Sequence, residues 1–178
     1  MKRSLCLLVS WMLIAGAAVA QTIEGDVYLV LPNGDVKPIA GNTVRLLENT
    51  DHFQAARMQL CSDYQDRFES LEQQYRRSGS GGGLSELREQ QRALMHRTVG
   101  EMTALLKANT VAEVPTGMRA HYYFHSVRPG RYFLWVETSI SGKPYQWWTP
   151  VTVVQDASLR KDLDNSALAR GHLYCGIK

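Results

Sequence analysis

The chain has 178 residues, of which 44% are hydrophobic and 21% charged, as is typical of one globular domain with room for a core. Its 20 basic and 17 acidic residues give a formal charge of +3. Such a near-balance supplies no electrostatic reason for nucleic-acid binding, which requires a clustered basic face. Length and charge therefore predict a single domain and no nucleic-acid partner.

The first 20 residues, 1–20, have the pattern of a signal peptide. Lys2 and Arg3 precede an apolar run that ends in Ala18-Val19-Ala20, the small residues that signal peptidase requires. The alternative is a membrane anchor, but this run is shorter than the roughly 20 apolar residues that span a bilayer. We expect cleavage before Gln21, export to the periplasm or the medium, and no membrane span in the mature chain 21–178.

Two cysteines, Cys61 and Cys175, remain after cleavage because Cys6 lies in the signal peptide. An oxidising compartment permits disulfides, and an even pair is what one bridge requires. The alternative is a small core residue at Cys61 and a free thiol at Cys175. We expect the bridge, which would close a long loop and attach the C-terminal tail to the insertion described below.

Two strands are predicted before residue 50, because apolar and polar residues alternate there at the two-residue strand period. An Asn33-Gly34 turn separates them. The apolar faces are formed by Ile23, Val27, Leu29 and Leu31 in the first strand and by Val44 and Leu46 in the second.

Residues 51–107 are predicted to form a helical hairpin, since apolar residues recur there every three or four positions without a proline. Thr50 or Asp51 can cap the first helix. The Gly-rich segment 78–83 joins the two helices. The first apolar stripe is Phe53, Ala56, Leu60, Tyr64, Phe68, Leu71 and Tyr75, and the second is Leu84, Leu87, Gln91, Leu94, Thr98, Met102 and Leu105.

Strand patterns return after the hairpin. The stretch Tyr122–Val136 alternates on both sides of Pro129-Gly130, which predicts a β-hairpin. Residues 138–144 are predicted as a loop and 145–154 as a strand, with Pro150 indicating an edge position or a bulge. A last short strand is predicted at 159–163.

These segments resemble the carboxypeptidase regulatory-like domain family. The resemblance lies in Gly25-x-Val27, the Asn-Gly turn, Pro38 to Leu46, Thr116 and the Tyr122–Val136 pattern. The family is a transthyretin-like Greek-key β-sandwich, and the resemblance implies that fold here. The chain departs from the family in a turn, where Gly117 and Ala120 replace Asp and Gly, and in the insertion 51–107 between the second and third strands.

The sequence predicts no catalytic, cofactor-binding or metal-binding residues. His121 and His125 share one face of a strand, but four residues span about 13 Å, too far for two ligands about 2 Å from one ion. The Gly-rich segment 78–83 lacks the lysine of a phosphate-binding loop and joins two helices. We therefore expect a protein that is not an enzyme.

Three aromatic residues near the C-terminus, Tyr145, Trp147 and Trp148, are possible ligand-binding residues. Adjacent tryptophans on one strand point to opposite faces, so one is predicted in the core and the other exposed or covered by the hairpin. An exposed indole beside Tyr145 could stack on a sugar. The alternative, with both indoles covered, is favoured by how often tryptophan is buried.

Together these patterns predict an exported, non-enzymatic binding or structural module of the cell envelope. The first helix carries more apolar width than one partner helix can hide. We expect the hairpin to dock on its own sandwich near its root, and to self-associate or bind an envelope protein near its tip. A carbohydrate-binding module that uses Tyr145, Trp147 or Trp148, with a glycan as the partner, is the alternative.

Overall fold

The computed structural model describes residues 21–78 and 84–169. Within these residues the chain forms nine strands and two long helices. The strands are β1 (Thr22–Asp26), β2 (Tyr28–Val30), β3 (Val36–Pro38), β4 (Thr43–Glu48), β5 (Thr110–Pro115), β6 (His121–Phe124), β7 (Gly130–Ile140), β8 (Lys143–Val153) and β9 (Ser158–Arg160), and the helices are α1 (Asp51–Ser78) and α2 (Leu84–Ala108). The predicted signal peptide and Cys175 lie outside the described residues.

Two sheets face each other and form a β-sandwich. One has four antiparallel strands in the order β5-β4-β7-β8. The other has the order β6-β1-β9, in which β1 pairs antiparallel with β6 and parallel with β9. A short ribbon, β2-β3, turns at Asn33-Gly34 as predicted. The predicted fold class, a mainly β sandwich that carries a helical hairpin, is confirmed.

Alternating side chains from both sheets meet in one hydrophobic core, termed the sandwich core. Its main members are Ile23, Val27, Leu29, Val44, Leu46, Tyr122, Phe124, Tyr132, Leu134, Val136, Trp147, Val151 and Val153. Both faces predicted from alternation before residue 50 lie inward, with Leu31 packed partly buried against the core. The two-residue period therefore identified the inner faces of these strands correctly.

The helical hairpin joins β4 to β5, which are neighbouring antiparallel strands. The end of β4 and the start of β5 meet at the base of the helical hairpin, where the Glu48 N–H donates to the Asn109 carbonyl oxygen at 2.9 Å. The insertion therefore takes the place of a β-hairpin turn, and the β4–β5 pairing is kept with one register shift, between Leu46 and Leu47. The two helices are termed the arm. The strand that follows them, β5, was not among the predicted strands.

The β-hairpin predicted for Tyr122–Val136 is wrong. β6 pairs with β1 in the three-stranded sheet, whereas β7 pairs with β4 and β8 in the other sheet. The connection through Pro129-Gly130 therefore crosses between the sheets, and the two apolar faces meet across the core. Alternation identifies which face of a strand is buried, but it does not identify the neighbouring strand.

The loop predicted at 138–144 is instead the end of a long hairpin. β7 and β8 are paired from Gly130 and Val153 to Ile140 and Lys143. Ser141 and Gly142 have φ values of 52° and 76°, the left-handed conformations of a two-residue hairpin turn. Pro150 lies on β8, an edge strand, as predicted.

Two residues that carry the family resemblance have clear structural roles. A Cβ atom on Gly25 would lie 2.0 Å from the Lys161 carbonyl oxygen, because the segment after β9 passes directly against β1. Thr116 is buried, and its hydroxyl donates to the Ile39 carbonyl oxygen at 2.8 Å and accepts from the Asn42 N–H at 3.0 Å. Both residues join segments that are distant in sequence.

Candidate interaction surface

The arm begins and ends with its backbone groups satisfied. Thr50 caps α1, since its hydroxyl oxygen accepts from the Phe53 N–H at 3.1 Å. At the end of α2, Asn109 Nδ2 donates to the Leu105 carbonyl oxygen at 2.8 Å and Thr110 Oγ1 to that of Leu106 at 2.9 Å. These caps fix the direction in which both helices leave the sheet.

A second hydrophobic core, termed the root core, lies between the arm and the outer face of the four-stranded sheet. Phe53 is fully buried in it, with its ring 6.3 Å from that of Phe133 in an edge-to-face arrangement. The sheet contributes Leu47, Phe133 and Trp135, and the arm contributes Phe53, Cys61, Met102 and Leu106, with Leu60, Leu105 and Trp148 partly buried beside them. The predicted docking of the hairpin root on its own sandwich thus corresponds to a packed core.

Trp148 faces this root core and is half-buried. Its ring stacks on Phe133 with centroids 4.4 Å apart, and the guanidinium of Arg57 lies 5.7 Å from its centroid. Arg57 also donates to Gln54 Oε1 at 3.2 Å, and its burial lowers the pKa of its guanidinium. Trp148 is therefore covered by the arm, which is one of the two positions expected for an outward-facing indole.

Trp147 lies on the opposite face of β8, fully buried in the sandwich core. Tyr145 is half-buried against the same core, with its ring 6.5 Å from the Trp147 ring. Trp147 is therefore the indole that was expected in the core, because alternation along β8 directs that side chain between the two sheets, where it is not exposed for sugar stacking. The three predicted ligand-binding residues do not form one surface, since Trp147 and Trp148 point into different cores.

Beyond the root core the arm depends on contacts between its own helices. This part is termed the distal arm, and it comprises α1 after Cys61 and α2 before Met102. Among the described residues, the distal arm contributes no side chain to the root core. Its seam is formed by side chains that are half-buried on α1, namely Tyr64, Phe68, Leu71 and Tyr75, and buried on α2, namely Leu87, Leu94 and Thr98.

Polar contacts across the distal arm are few and lie toward the tip. Gln91 Nε2 donates to Glu72 Oε1 at 3.1 Å, and an Arg88 guanidinium nitrogen donates to the Tyr75 hydroxyl at 3.2 Å. Tyr64 stacks on Phe68 at 5.7 Å, and partial burial raises the pKa of the Tyr64 hydroxyl. A half-buried aromatic stripe on a projecting helix pair is surface that a partner can still cover.

A groove of about 260 Å³ opens between the helices where the distal arm begins. Leu60, Tyr64, Leu94 and Thr98 form its apolar lining, and Asp63, Arg67, Arg97 and Glu101 are the charged residues around it. At about 100° of rotation per residue, Asp63 lies about 200° from Cys61, which packs against the sheet. On the same scale Leu60, Tyr64 and Arg67 lie about 100°, 60° and 120° from Cys61, so the groove opens on the flank of the arm.

The outer face of the three-stranded sheet carries a network of charged residues. His121 Nδ1 lies 2.9 Å from Asp26 Oδ1, and the Arg160 guanidinium lies 2.7 Å from Asp26 Oδ2 and 3.5 Å from Asp162 Oδ1. These groups connect β1, β6 and β9 and satisfy one another. In the described part of the chain, no group of three or more His, Cys, Asp or Glu side chains is arranged to hold a metal ion.

Cys61 is buried in the root core on the third turn of α1. Because Cys175 lies outside the described residues, the Cys61–Cys175 bridge remains a prediction. Two free thiols in the purified, unreduced mature protein would contradict it. Among the residues that the structure covers, no helix is both long and apolar enough to cross a membrane.

No family model matches the chain, and no curated protein matches it. Solved structures that align with this chain include a candidate carbohydrate-binding protein of Pseudomonas aeruginosa, with a TM-score of 0.45 and 15% identity over 83% of this chain and 90% of that one. The minor pilin GBS52 of Streptococcus agalactiae aligns with a TM-score of 0.39 and 12% identity over 82% of this chain and 44% of that one. The pilus backbone protein RrgB of Streptococcus pneumoniae aligns with a TM-score of 0.31 and 11% identity over 82% and 41%.

The chain spans less than half the length of each of these two pilins. At such identities and TM-scores the likeness carries no functional argument, so function has to be argued from the surface of this chain. The charged residues around the groove were not identified from the sequence. The sequence does contain a pattern that could have identified them. On α1 the acidic residue comes first, Asp63 before Arg67, whereas on α2 the basic residue comes first, Arg97 before Glu101.

Proposed function

We propose that this chain is an exported, non-enzymatic interaction module of the cell envelope, in which the sandwich is the base and the arm carries the binding surface. The observation that supports this proposal is the contrast within the arm. Its root is held by a packed core on the sheet, whereas the distal arm projects with a half-buried aromatic stripe and a groove along its flank.

The root core suits the arm to this role. At about 1.5 Å per residue, the 28 residues of α1 extend about 42 Å, and the part beyond Cys61 extends about 25 Å from the packed root. Two antiparallel helices alone are marginally stable, so a fixed root lowers the entropy that a partner must remove on binding. The sandwich therefore presents a long surface in one direction.

Export, the type of β-sandwich and the kind of partner are also part of this proposal. Export rests on the signal-peptide pattern of residues 1–20, and the sandwich is assigned to the carboxypeptidase regulatory-like type on the motif residues Gly25 and Thr116. Both residues join distant segments, which is a structural role and requires no ligand. The partner is an envelope protein or a second copy of this chain.

A shortened arm tests the proposal. In this variant of the chain 21–178, residues 64–97 are replaced by a short Gly-Ser turn, which retains the arm residues of the root core. The matched control keeps the arm and replaces only the Gly-rich segment 79–83 by another five-residue linker. Both are crosslinked in the native envelope, and their partners are recovered and compared with those of the unaltered chain.

We expect the control to recover the same partners as the unaltered chain and the shortened variant to lose them, while both retain cooperative thermal unfolding of the sandwich. Recovery of the same partners by the shortened variant would overturn the proposal, because the distal arm would then not be the binding surface.

A further inference from the structure

The charges around the groove of the distal arm are ordered along the arm. α1 runs from root to tip and α2 returns from tip to root, so Asp63 and Glu101 lie toward the sandwich and Arg67 and Arg97 lie toward the tip. One end of the groove is therefore acidic and the other basic, with no net charge. A strongly acidic or basic partner would meet repulsion at one end.

These charges are available for contacts with another molecule. Arg97 and Glu101 approach to 3.7 Å, but both side chains are about half exposed, so this pair is weak. Asp63 accepts from Gln59 Nε2 at 2.7 Å and forms no ion pair among the described residues. Arg67, likewise, forms no ion pair within the described part of the chain. Of the four charged residues, only Arg97 and Glu101 pair with each other among the described residues, and their exposure leaves both side chains able to contact another molecule.

We infer that this groove is a self-recognition surface on which two copies of the chain lay their arms antiparallel, related by a twofold axis through the groove. The inference rests on the proposed function and names the partner. In this arrangement the basic end of one groove lies over the acidic end of the other, so that both ends are matched at once. A parallel arrangement would place acid against acid.

The position of the groove along the arm fits this arrangement. Tyr64, in its lining, is close to the middle of α1, so a twofold axis there brings the tip of each arm to the root of the other. The overlap then extends over nearly the whole arm, and the two sandwiches lie at opposite ends. Tyr64 and Leu94 become part of a four-helix interface that covers the half-buried seam.

Complementary charge reversal tests this inference. One variant, Asp63→Arg with Glu101→Arg, makes the groove basic throughout, and the other, Arg67→Glu with Arg97→Glu, makes it acidic throughout. Mass is measured by light scattering and sedimentation over a range of concentrations for the unaltered chain, each variant and an equal mixture, with thermal unfolding as the check on folding. Arg92→Glu with Glu89→Arg, a pair on the arm outside the groove, is the control.

We expect a concentration-dependent dimer for the unaltered chain and the control, a monomer for each groove variant alone, and recovery of the dimer in the mixture. A monomeric unaltered chain, or groove variants that dimerise as well as it does, would overturn the inference. If the chain is monomeric while the shortened arm still loses its envelope partners, the arm is an interaction surface for a different protein, and only the self-recognition inference fails.

Discussion

The four-stranded sheet buries side chains on both of its faces, but the two cores are built differently. The sandwich core is formed mainly by strand residues whose alternation is visible in the sequence. The root core joins strand residues such as Phe133 and Trp135 to helix residues such as Phe53 and Met102. In the sequence, the strand residues of the root core are apolar residues at positions where alternation would place polar ones. This is the only pattern that identifies them.

β7 shows this difference within one strand, because its five residues from Tyr132 to Val136 are all buried. Tyr132, Leu134 and Val136 face the sandwich core, while Phe133 and Trp135 face the root core. A continuous apolar run indicates a strand covered on both sides. The arm is therefore part of the folded unit at its root, and only its distal part depends on the contacts between two helices.

The largest effect is expected from Gly25→Ala, which acts on the sandwich alone. The added Cβ would lie 2.0 Å from the Lys161 carbonyl oxygen, so β1 and the segment after β9 must separate. We expect a loss of at least about 3 kcal/mol of unfolding free energy, measured by denaturant titration. Gly117→Ala is the control, since its Cβ would be an ordinary 3.7 Å from the nearest atom, the His121 carbonyl oxygen. Equal stability of the two variants would contradict the close approach.

The next prediction compares the two parts of the arm. Phe53→Ala opens a cavity in the root core, where the side chain is fully buried, and should cost about 3 to 5 kcal/mol. Phe68→Ala removes a half-buried ring of the distal arm and should cost about 1 to 2 kcal/mol, in proportion to its smaller burial. Denaturant titration of both variants at a concentration where the chain is monomeric measures the difference. A larger loss for Phe68 would mean that the distal arm is more tightly packed than the root.

Much of this architecture follows from local patterns. Helical periodicity predicted both helices of the arm and their seam, and alternation predicted the inward-facing residues of β1, β2 and β4, because each pattern reflects burial of neighbouring residues in the chain. The strand pairing was not predictable in this way. The wrong hairpin at Pro129-Gly130 arose because β6 and β7 have equally regular patterns whether they pair with each other or face across a core.

The candidate surface was predicted less completely than the fold. The apolar stripe of α1 indicated surface beyond that needed by one partner helix, and the distal arm indeed leaves Tyr64 and Phe68 half-buried. The alignment of Asp63 with Glu101 and of Arg67 with Arg97 depends on how two helices are set against each other, which a single sequence does not specify. Similarly, Trp147 and Trp148 were known to point to opposite faces, but which core covers each depends on tertiary packing.

The smallest expected effect concerns the turn that joins β7 to β8, two strands that contribute to both cores. Ser141 has a φ of 52°, followed by Gly142 at 76°, and Asn tolerates the left-handed conformation better than Ser while forming the favoured Asn-Gly turn. We expect Ser141→Asn to stabilise the chain by about 0.5 kcal/mol and to raise the Tm by about 1 to 2 °C. The measurement is a calorimetric scan.

Ala120→Gly is the matched control for that turn, since Ala120 has a φ of 63° but a buried methyl group. Relief of the left-handed strain is offset there by loss of the buried methyl and by the greater freedom of Gly in the unfolded chain. Its Tm should therefore change less than that of Ser141→Asn. A Tm lowered by Ser141→Asn would show that the serine contributes a contact that the turn geometry does not explain. A similar rise in both variants would mean that relief of strain at Ala120 outweighs the loss of its buried methyl group.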